Sequence, residues 1–151
     1  MALVFGSDQA NAALPFPATY TGPIANPAKL RCIYAAADVF ALPSRQDNLP
    51  NTGVESLACG TPIVGFDIGG LPDLVPNREV GYLAKPFDVG DLAAALSQVL
   101  AHQCAQSDDT PSVMSRAARA HAVATFDQAQ VSAAYGALYD RLIKAPGQIL
   151  A

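Results

Sequence analysis

The sequence lacks the features that assign many chains to a class by themselves. Lys and Arg total 9 against 13 Asp and Glu among 151 residues, and they form no basic cluster. The net charge of −4 therefore disfavours attraction to nucleic-acid phosphates or anionic lipid. No apolar run reaches the roughly 18 residues of a membrane span, and no basic segment followed by an apolar core indicates a signal peptide. We expect a soluble cytoplasmic domain that binds no nucleic acid.

Cysteine is also scarce. Cys32, Cys59 and Cys104 are far apart and form no Cys-x-x-Cys pair, so the sequence predicts neither a disulfide framework nor a zinc site. A reducing cytoplasm is the simplest setting for such thiols. Because free cysteine is usually buried, we expect all three to be small core residues.

Short apolar segments alternate with helical patterns along the whole chain. This alternation predicts a parallel sheet covered by helices on both faces, which is a doubly wound, Rossmann-like α/β domain. The length of 151 residues fits a single domain, residues 1–151, with a C-terminal helical run packed against the edge of the sheet. We predict strands at 2–5, 19–21, 39–42, 63–66 and 81–84, a loop at 7–17, and helices from Pro27, at 52–59, at 71–75, from Val89, at 112–124 and at 127–144.

The most informative stretch is residues 47–64, Asp-Asn-Leu-Pro-Asn-Thr-Gly-Val-Glu-Ser-Leu-Ala-Cys-Gly-Thr-Pro-Ile-Val. It leaves the end of a strand, passes through a loop that holds Asp47, and enters a helix that holds Glu55. A helix start offers unpaired N–H groups and about half a positive charge, which suits a diphosphate. Gly53 would let a ligand approach the backbone closely. This geometry is common to many α/β proteins.

Each polar residue of this stretch also has a simpler interpretation. Glu55 would complement the helix dipole, and Asp47 would be a solvated loop acid or an Asx-turn residue. Arg45 would be a solvated cation, and Asp73 fits an acid at the start of a short helix. Two other classes also use such carboxylates, a flavodoxin-like signalling domain and a glycosidase. The strand order and the Rossmann-like context disfavour both.

The ordered set of motifs resembles the retaining glycosyltransferases of family 4, whose two Rossmann-like domains form the GT-B fold. The family motif has two Glu residues separated by seven others, and here Asp47 and Glu55 stand at those positions. The resemblance covers about residues 19–103, with a helical tail at about 110–145. It rests on the segments Tyr-Ala-Ala-Ala-Asp-Val-Phe-Ala-Leu-Pro-Ser at 34–44, Gly-Thr-Pro-Ile-Val at 60–64, Gly-Gly-Leu-Pro-Asp-Leu-Val at 69–75 and Gly-Tyr-Leu at 81–83.

The resemblance implies roles for these residues. Glu55 would bind ribose hydroxyls, and Asp47 would position the transferred sugar and stabilise charge at its anomeric carbon. The remaining residues that the resemblance implies in binding the sugar nucleotide are Asn48, Asn51, Thr52, Gly53 and Arg45. The sequence has no Asp-x-Asp metal motif, in keeping with a family that needs neither metal nor cofactor.

Two departures from the family pattern stand out. Asp47 is one methylene shorter than the family's Glu, which bears on which sugar is bound. Asn48-Leu49-Pro50 stands where the family carries Gly-Phe-Gly, and Pro50 offers no N–H group. Side-chain hydrogen bonds from Asn48 and Asn51 would replace backbone ones.

The resemblance places the chain in the C-terminal, donor-binding half of such an enzyme. The acceptor domain and the segment with the family's diphosphate-binding Arg and Lys are absent, so we expect the isolated chain to be inactive in transfer. Its partners would be the nucleotide sugar and the missing N-terminal domain, with membrane contact only through the full-length enzyme. Exposed surface would also permit a homodimer. The alternative is a non-catalytic nucleotide-sugar-binding or structural module.

Overall fold

The computed structural model of the protein describes residues 1–6, 14–105 and 110–144. Strands and helices alternate over most of this length, as the sequence predicts, although most of the predicted loop at 7–17 lies outside the described residues. The elements are β1 (Ala2–Val4), β2 (Ala18–Tyr20), α1 (Pro27–Ala35), β3 (Phe40–Leu42), α2 (Asn51–Ala58), β4 (Ile63–Phe66), α3 (Leu71–Leu74), β5 (Gly81–Ala84), α4 (Val89–Cys104), α5 (Val113–Phe126) and α6 (Gln128–Lys144).

Strand β4 is the centre of a parallel sheet with the order β3-β4-β5. Its residue Ile63 pairs with Phe40 on one side and Gly81 on the other. All four β4 residues are buried. Because successive strand side chains point to opposite faces, Ile63 and Val64 enter different cores, so helices cover both faces. The predicted doubly wound α/β class is confirmed.

The two cores have different composition. The larger one holds Ile63 with side chains of α2, α3 and α5, and the smaller one holds Val64 with side chains of α4 and α5. Burial of each such aliphatic side chain contributes about 1.5–3 kcal/mol relative to exposure. The larger core contains Leu42, Leu57, Ile63, Leu71, Leu74, Val75, Val80, Ala118 and Ala122, and the smaller one Val64, Ala95, Val99 and Met114.

Strands β1 and β2 form a separate parallel pair, with Ala2 opposite Ala18. Within the described ranges, no strand pairing joins this pair to the β3-β4-β5 sheet, so the predicted sheet is present as two hydrogen-bonded parts. Aromatic rings link them instead. The Phe5 ring lies 5.5 Å from Tyr34 and 6.1 Å from Phe40, and Tyr34 lies 5.5 Å from Phe40, all between centroids.

Helix α5 packs mainly against α2, and Met114 near its start lies in the smaller core. The packing of the C-terminal helical run against the sheet edge remains a prediction. Ala118 and Ala122 reach the larger core because their small side chains let the helix approach closely. The guanidinium of Arg119 donates to the carbonyl of Ala58, and His121 Nε2 lies 3.0 Å from the carbonyl oxygen of Asp73. Helix α6 extends beyond α5 and buries no residue.

Four of the described helices begin at side-chain caps, and one of them is α6, where Asp127 Oδ1 accepts from the N–H groups of Ala129 and Gln130. Asn26 Oδ1 accepts from the N–H groups of Ala28 and Lys29 at the start of α1, and Pro27 follows it as predicted. Asp88 caps α4 and Ser112 caps α5 in the same way. Such a cap contributes about 1 kcal/mol. Helix α2 is different, because its N-cap residue makes no side-chain hydrogen bond.

The expectation of three buried cysteines is wrong. Cys32 and Cys104 are exposed and Cys59 is half-buried. Cys32 lies in α1 and Cys104 ends α4, and both positions point away from the two cores. Across the described part of the chain, no helix is both long and apolar enough to cross a membrane.

The aromatic link between the two strand groups can be tested with Phe5→Ala. Edge and stacked ring contacts contribute about 0.5–1.5 kcal/mol beyond area burial, so we expect amide exchange in β1 and β2 to accelerate roughly threefold to tenfold. Exchange in β4 should not change. Hydrogen exchange monitored by NMR measures both. Leu3→Ala is the control, since Leu3 lies in β1, two residues before Phe5, and is 42% exposed. Equal acceleration in β4 would contradict the proposed local role of Phe5.

Candidate functional site

Three loops meet at one edge of the β3-β4-β5 sheet. Residues 43–50 follow β3, residues 67–70 follow β4 and residues 85–88 follow β5. Since the three strands are parallel, their carboxyl ends share an edge, and this is where ligands of open α/β sheets bind. The predicted Asp47 loop is the first of these three.

The Asp47 loop lies directly on the Gly69-Gly70 turn. A Cβ atom added at Gly69 would stand 1.8 Å from the carbonyl oxygen of Asp47, and one at Gly70 would stand 1.7 Å from that of Asn48. Any side chain at either position would therefore displace the loop. Gly69 also has a φ of 51°, in the left-handed region that favours glycine. The two glycines fix the position of the backbone at Asp47 and Asn48.

The start of α2 has N–H groups available for a ligand. Pro50 is the N-cap and supplies no side-chain hydrogen bond, while Gly53 N–H donates to the Pro50 carbonyl at 2.9 Å. Over residues 1–6, 14–105 and 110–144, no acceptor lies against the N–H groups of Asn51 and Thr52. These two groups and the helix dipole make a small electropositive site beside Asp47.

Gly53 is on the inner face of α2. A Cβ atom there would lie 2.6 Å from Leu74 Cδ1 and 3.4 Å from Ile63 Cδ1, so core packing accounts for the glycine. Its N–H group is already used within the turn. The close approach of a ligand at Gly53 remains a prediction, and core packing is a separate reason for glycine at this position.

Glu55 is exposed on α2 and is held from one side by Tyr34. The phenol of Tyr34 donates to Glu55 Oε2 at 3.2 Å, while Tyr34 itself is only 2% exposed. Burial raises the pKa of the Tyr34 phenol, and the charge and hydrogen bond of Glu55 add to the rise. Burial likewise raises the pKa of the nearby Cys59 thiol, against the opposing charges of Arg119 and Arg31. The carboxylate is therefore oriented and keeps a second oxygen for a ligand.

Arg45 lies over the Phe87 ring, with its guanidinium carbon 5.2 Å from the centroid. This contact crosses the carboxyl end of β4, because Arg45 follows β3 and Phe87 follows β5. Phe87 in turn lies 5.9 Å from the buried ring of Phe66, measured between centroids. The side chain of Arg45, within the Asp47 loop, is thus held in place by an aromatic surface.

The predicted site residues lie in the loop after β3 and in α2, where Glu55 contacts Tyr34 and Arg45 contacts Phe87. In the described part of the molecule no hydrogen bond or ion pair joins Arg45, Asp47 and Glu55 to one another. Nor do three or more His, Cys, Asp or Glu side chains there form a group suited to a metal. The partners Tyr34 and Phe87 were not predicted as functional, because apolar spacing alone gave Tyr34 a core role and nothing in the sequence distinguished Phe87.

Residues 6–102 match the family described as Glycosyl transferases group 1, which is well over half of the chain. The chain belongs to this family. The match begins just after β1 and ends near the end of α4, so it includes all three loops at the sheet edge.

Two bacterial proteins show the similarity at the sequence level, and both are named D-inositol 3-phosphate glycosyltransferase. The one from Mycolicibacterium smegmatis is 39% identical over 109 residues, 72% of this chain. The one from Mycolicibacterium vanbaalenii is 41% identical over 111 residues, 74% of this chain. The chain spans 23% of the length of both relatives.

A solved structure shows the same relationship in three dimensions. Sucrose-phosphate synthase from Thermosynechococcus elongatus superposes with a TM-score of 0.76 at 26% identity. The superposition covers 94% of this chain and 38% of that protein. The fold is therefore that of one part of a GT-B glycosyltransferase.

The loop contact at the glycine turn can be tested with Gly70→Ala. Gly70 has φ −93° and ψ 9°, which alanine tolerates, so the effect isolates the clash with Asn48. We expect a loss of about 1–3 kcal/mol in the free energy of unfolding and shifted NMR signals at Asp47 and Asn48. Urea unfolding and amide spectra measure these.

Gly136→Ala is the matched control for this substitution. A Cβ at Gly136 meets nothing within 4 Å, and replacing glycine by alanine within a helix stabilises it by up to about 1 kcal/mol. Unchanged stability and unchanged loop signals in Gly70→Ala would contradict the proposed contact.

The Tyr34–Glu55 contact has a pH dependence of defined sign. The raised pKa of Tyr34 means that the folded chain keeps a proton that the unfolded chain loses above about pH 10. The free energy of unfolding should therefore decrease as the pH rises past that value. We expect Tyr34→Phe to reduce this decrease in urea unfolding at pH 7 and pH 11. Tyr139→Phe, at an exposed position of α6, should not, and equal slopes in all three chains would refute the assignment.

Proposed function

We propose that this chain is the donor-binding domain of a retaining glycosyltransferase. The enzyme would transfer a sugar from a nucleoside-diphosphate sugar to a saccharide or lipid-linked acceptor. Membership of the glycosyltransferase family supports this proposal, and one structural observation carries it. The Asp47 loop is held by the Gly69-Gly70 turn beside the uncapped start of α2, at the carboxyl edge of a parallel sheet.

The proposed binding follows from the chemistry of the groups at this edge. The diphosphate would accept hydrogen bonds from the N–H groups of Asn51 and Thr52, where the helix dipole favours negative charge. Glu55 would accept hydrogen bonds from ribose hydroxyls through the oxygen that Tyr34 leaves available. Charge-assisted bonds of this kind contribute about 1.5–3 kcal/mol each.

The reacting end of the sugar nucleotide would lie at Asp47. Its carboxylate is half-exposed at the sheet edge and would accept hydrogen bonds from sugar hydroxyls. As the bond to the diphosphate breaks, negative charge grows at the start of α2 and positive charge grows at the anomeric carbon. The dipole of α2 would stabilise the negative charge, and the Asp47 carboxylate would stabilise the positive charge.

Further features of the enzyme are part of the proposal. It would need neither metal nor cofactor, and it would act in the cytoplasm of a bacterium in polysaccharide or glycolipid synthesis. The relatives are named for D-inositol 3-phosphate, so a phosphorylated polyol joins the candidate acceptors.

Residues 1–151 would form one domain with a helical tail. An acceptor-binding domain would close the cleft against water, which transfer requires, and the exposed side chains of α6 would allow homodimers.

The experiment that tests the binding role is calorimetric titration of UDP, GDP and ADP into the chain. Glu55→Gln keeps size and helix propensity but removes the charge, so we expect affinity for the preferred nucleotide to fall roughly 10-fold to 100-fold. Glu79→Gln is the matched control, because Glu79 is exposed before β5, away from the three loops. No nucleotide binding by the wild-type chain would favour the structural module instead.

A further inference from the structure

Phe87 adopts a backbone conformation that its residue type disfavours. Its φ is 63°, and no other non-glycine residue in the described ranges has a positive φ. The left-handed region is uncommon for bulky residues. The chain therefore accepts a strained phenylalanine at a position of the fold that glycine would occupy without strain.

The local turn explains the backbone conformation of Phe87 but not why the residue there is phenylalanine. Asp88 N–H donates to the carbonyl of Lys85 at 3.1 Å, which closes a turn with Pro86 and Phe87 at its centre. Proline at the second position and a positive φ at the third are the features of a type II turn, whose third position favours glycine or asparagine. Nor does burial account for the phenylalanine, since Phe87 is 50% exposed. Its side chain must be explained by its contacts.

The contacts of the Phe87 ring hold the side chain of Arg45 in place. The Phe87 ring contacts the buried ring of Phe66 and also contacts Arg45, whose guanidinium carbon lies 5.2 Å from the Phe87 centroid. Arg45 has no hydrogen bond or ion pair with any residue the structure describes. A guanidinium held over an aromatic ring keeps its N–H groups available, and their planar arrangement suits bidentate binding of an oxyanion.

We infer that Phe87 is a positioning residue that holds Arg45 as a fork for an oxyanion of the sugar nucleotide. The inference rests on the proposed function and adds to it a second anion contact, in the loop that leads into α2. The oxyanion is either the diphosphate or a carboxylate on the transferred sugar, since both present two oxygens to the fork. The strained turn after β5 places the aromatic ring of Phe87 against Arg45.

The test measures anion binding to the full chain by NMR, at the Nε–Hε signal of Arg45, with pyrophosphate and glucuronate as probes. We expect a saturable shift with one of the two probes, which also identifies the oxyanion. In Phe87→Gly we expect affinity to fall about threefold to fivefold, the loss of an exposed cation–π contact. The ring-current shift of the Arg45 signal should disappear as well. Thermal stability should not fall in proportion, because glycine relieves the turn.

Two further variants keep the inference falsifiable. Phe87→Tyr retains the ring and should retain both affinity and the ring-current shift. Arg78→Gln is the matched control, because Arg78 stacks on Tyr82 at 4.7 Å but lies before β5, toward the opposite edge. An equal loss in Arg78→Gln, full affinity in Phe87→Gly, or no shift of the Arg45 signal with either probe would overturn the inference.

Failure of this inference is distinct from failure of the proposed function. If wild-type chain binds a nucleotide through Glu55 but Phe87→Gly binds pyrophosphate and glucuronate as the wild type does, only the positioning role is wrong. If the Arg45 signal responds as expected while no nucleotide binds, the anion fork exists without the proposed nucleotide site.

Discussion

Burial of β4 on both faces is the constraint on which the rest of the structure depends. Ile63 and Val64 are both fully buried, yet adjacent strand residues must face opposite sides. One face is covered by α2, α3 and α5, and the other is covered by α4 and the start of α5. Because β4 pairs in parallel with both β3 and β5, the carboxyl ends of the three strands lie at one edge of the sheet. The candidate site is a consequence, since its loops leave those ends.

Features that depend on residues close together in the sequence, such as strand positions and helix starts, were predicted correctly. Short, mostly apolar runs located β4 and β5 to the residue, and Asn26-Pro27 marked the start of α1, because strand burial and helix capping are encoded locally. Contacts between distant residues were not predictable in this way. The hydrogen bond from Tyr34 to Glu55 joins residues 21 apart, and apolar spacing indicated only that Tyr34 faces a core. Conversely, cysteine's average tendency to be buried said nothing about Cys32 and Cys104, which are exposed.

The candidate site was located by sequence only in part. The loop at Asp47 and the start of α2 were predicted from turn residues and helix patterning, and they lie where the strand ends require. The role of Gly53 was inferred from flexibility, whereas its position is explained by Leu74. The left-handed conformation of Phe87 contradicts the residue's own preference, so no pattern of preferences would reveal it. Residues whose local preference and structure disagree mark the places where function is expected.

The contact between Gly69-Gly70 and the loop has a consequence for how this domain changes in evolution. It is made with the carbonyl oxygens of Asp47 and Asn48, so the loop is anchored by atoms that every amino acid possesses. The side chains at 47 and 48 can be exchanged without loosening their own support. Exchange of Asp47 for Glu would therefore change the reach of the carboxylate while the scaffold stays constant. The side chains of this loop and the stability of the fold can vary independently of each other.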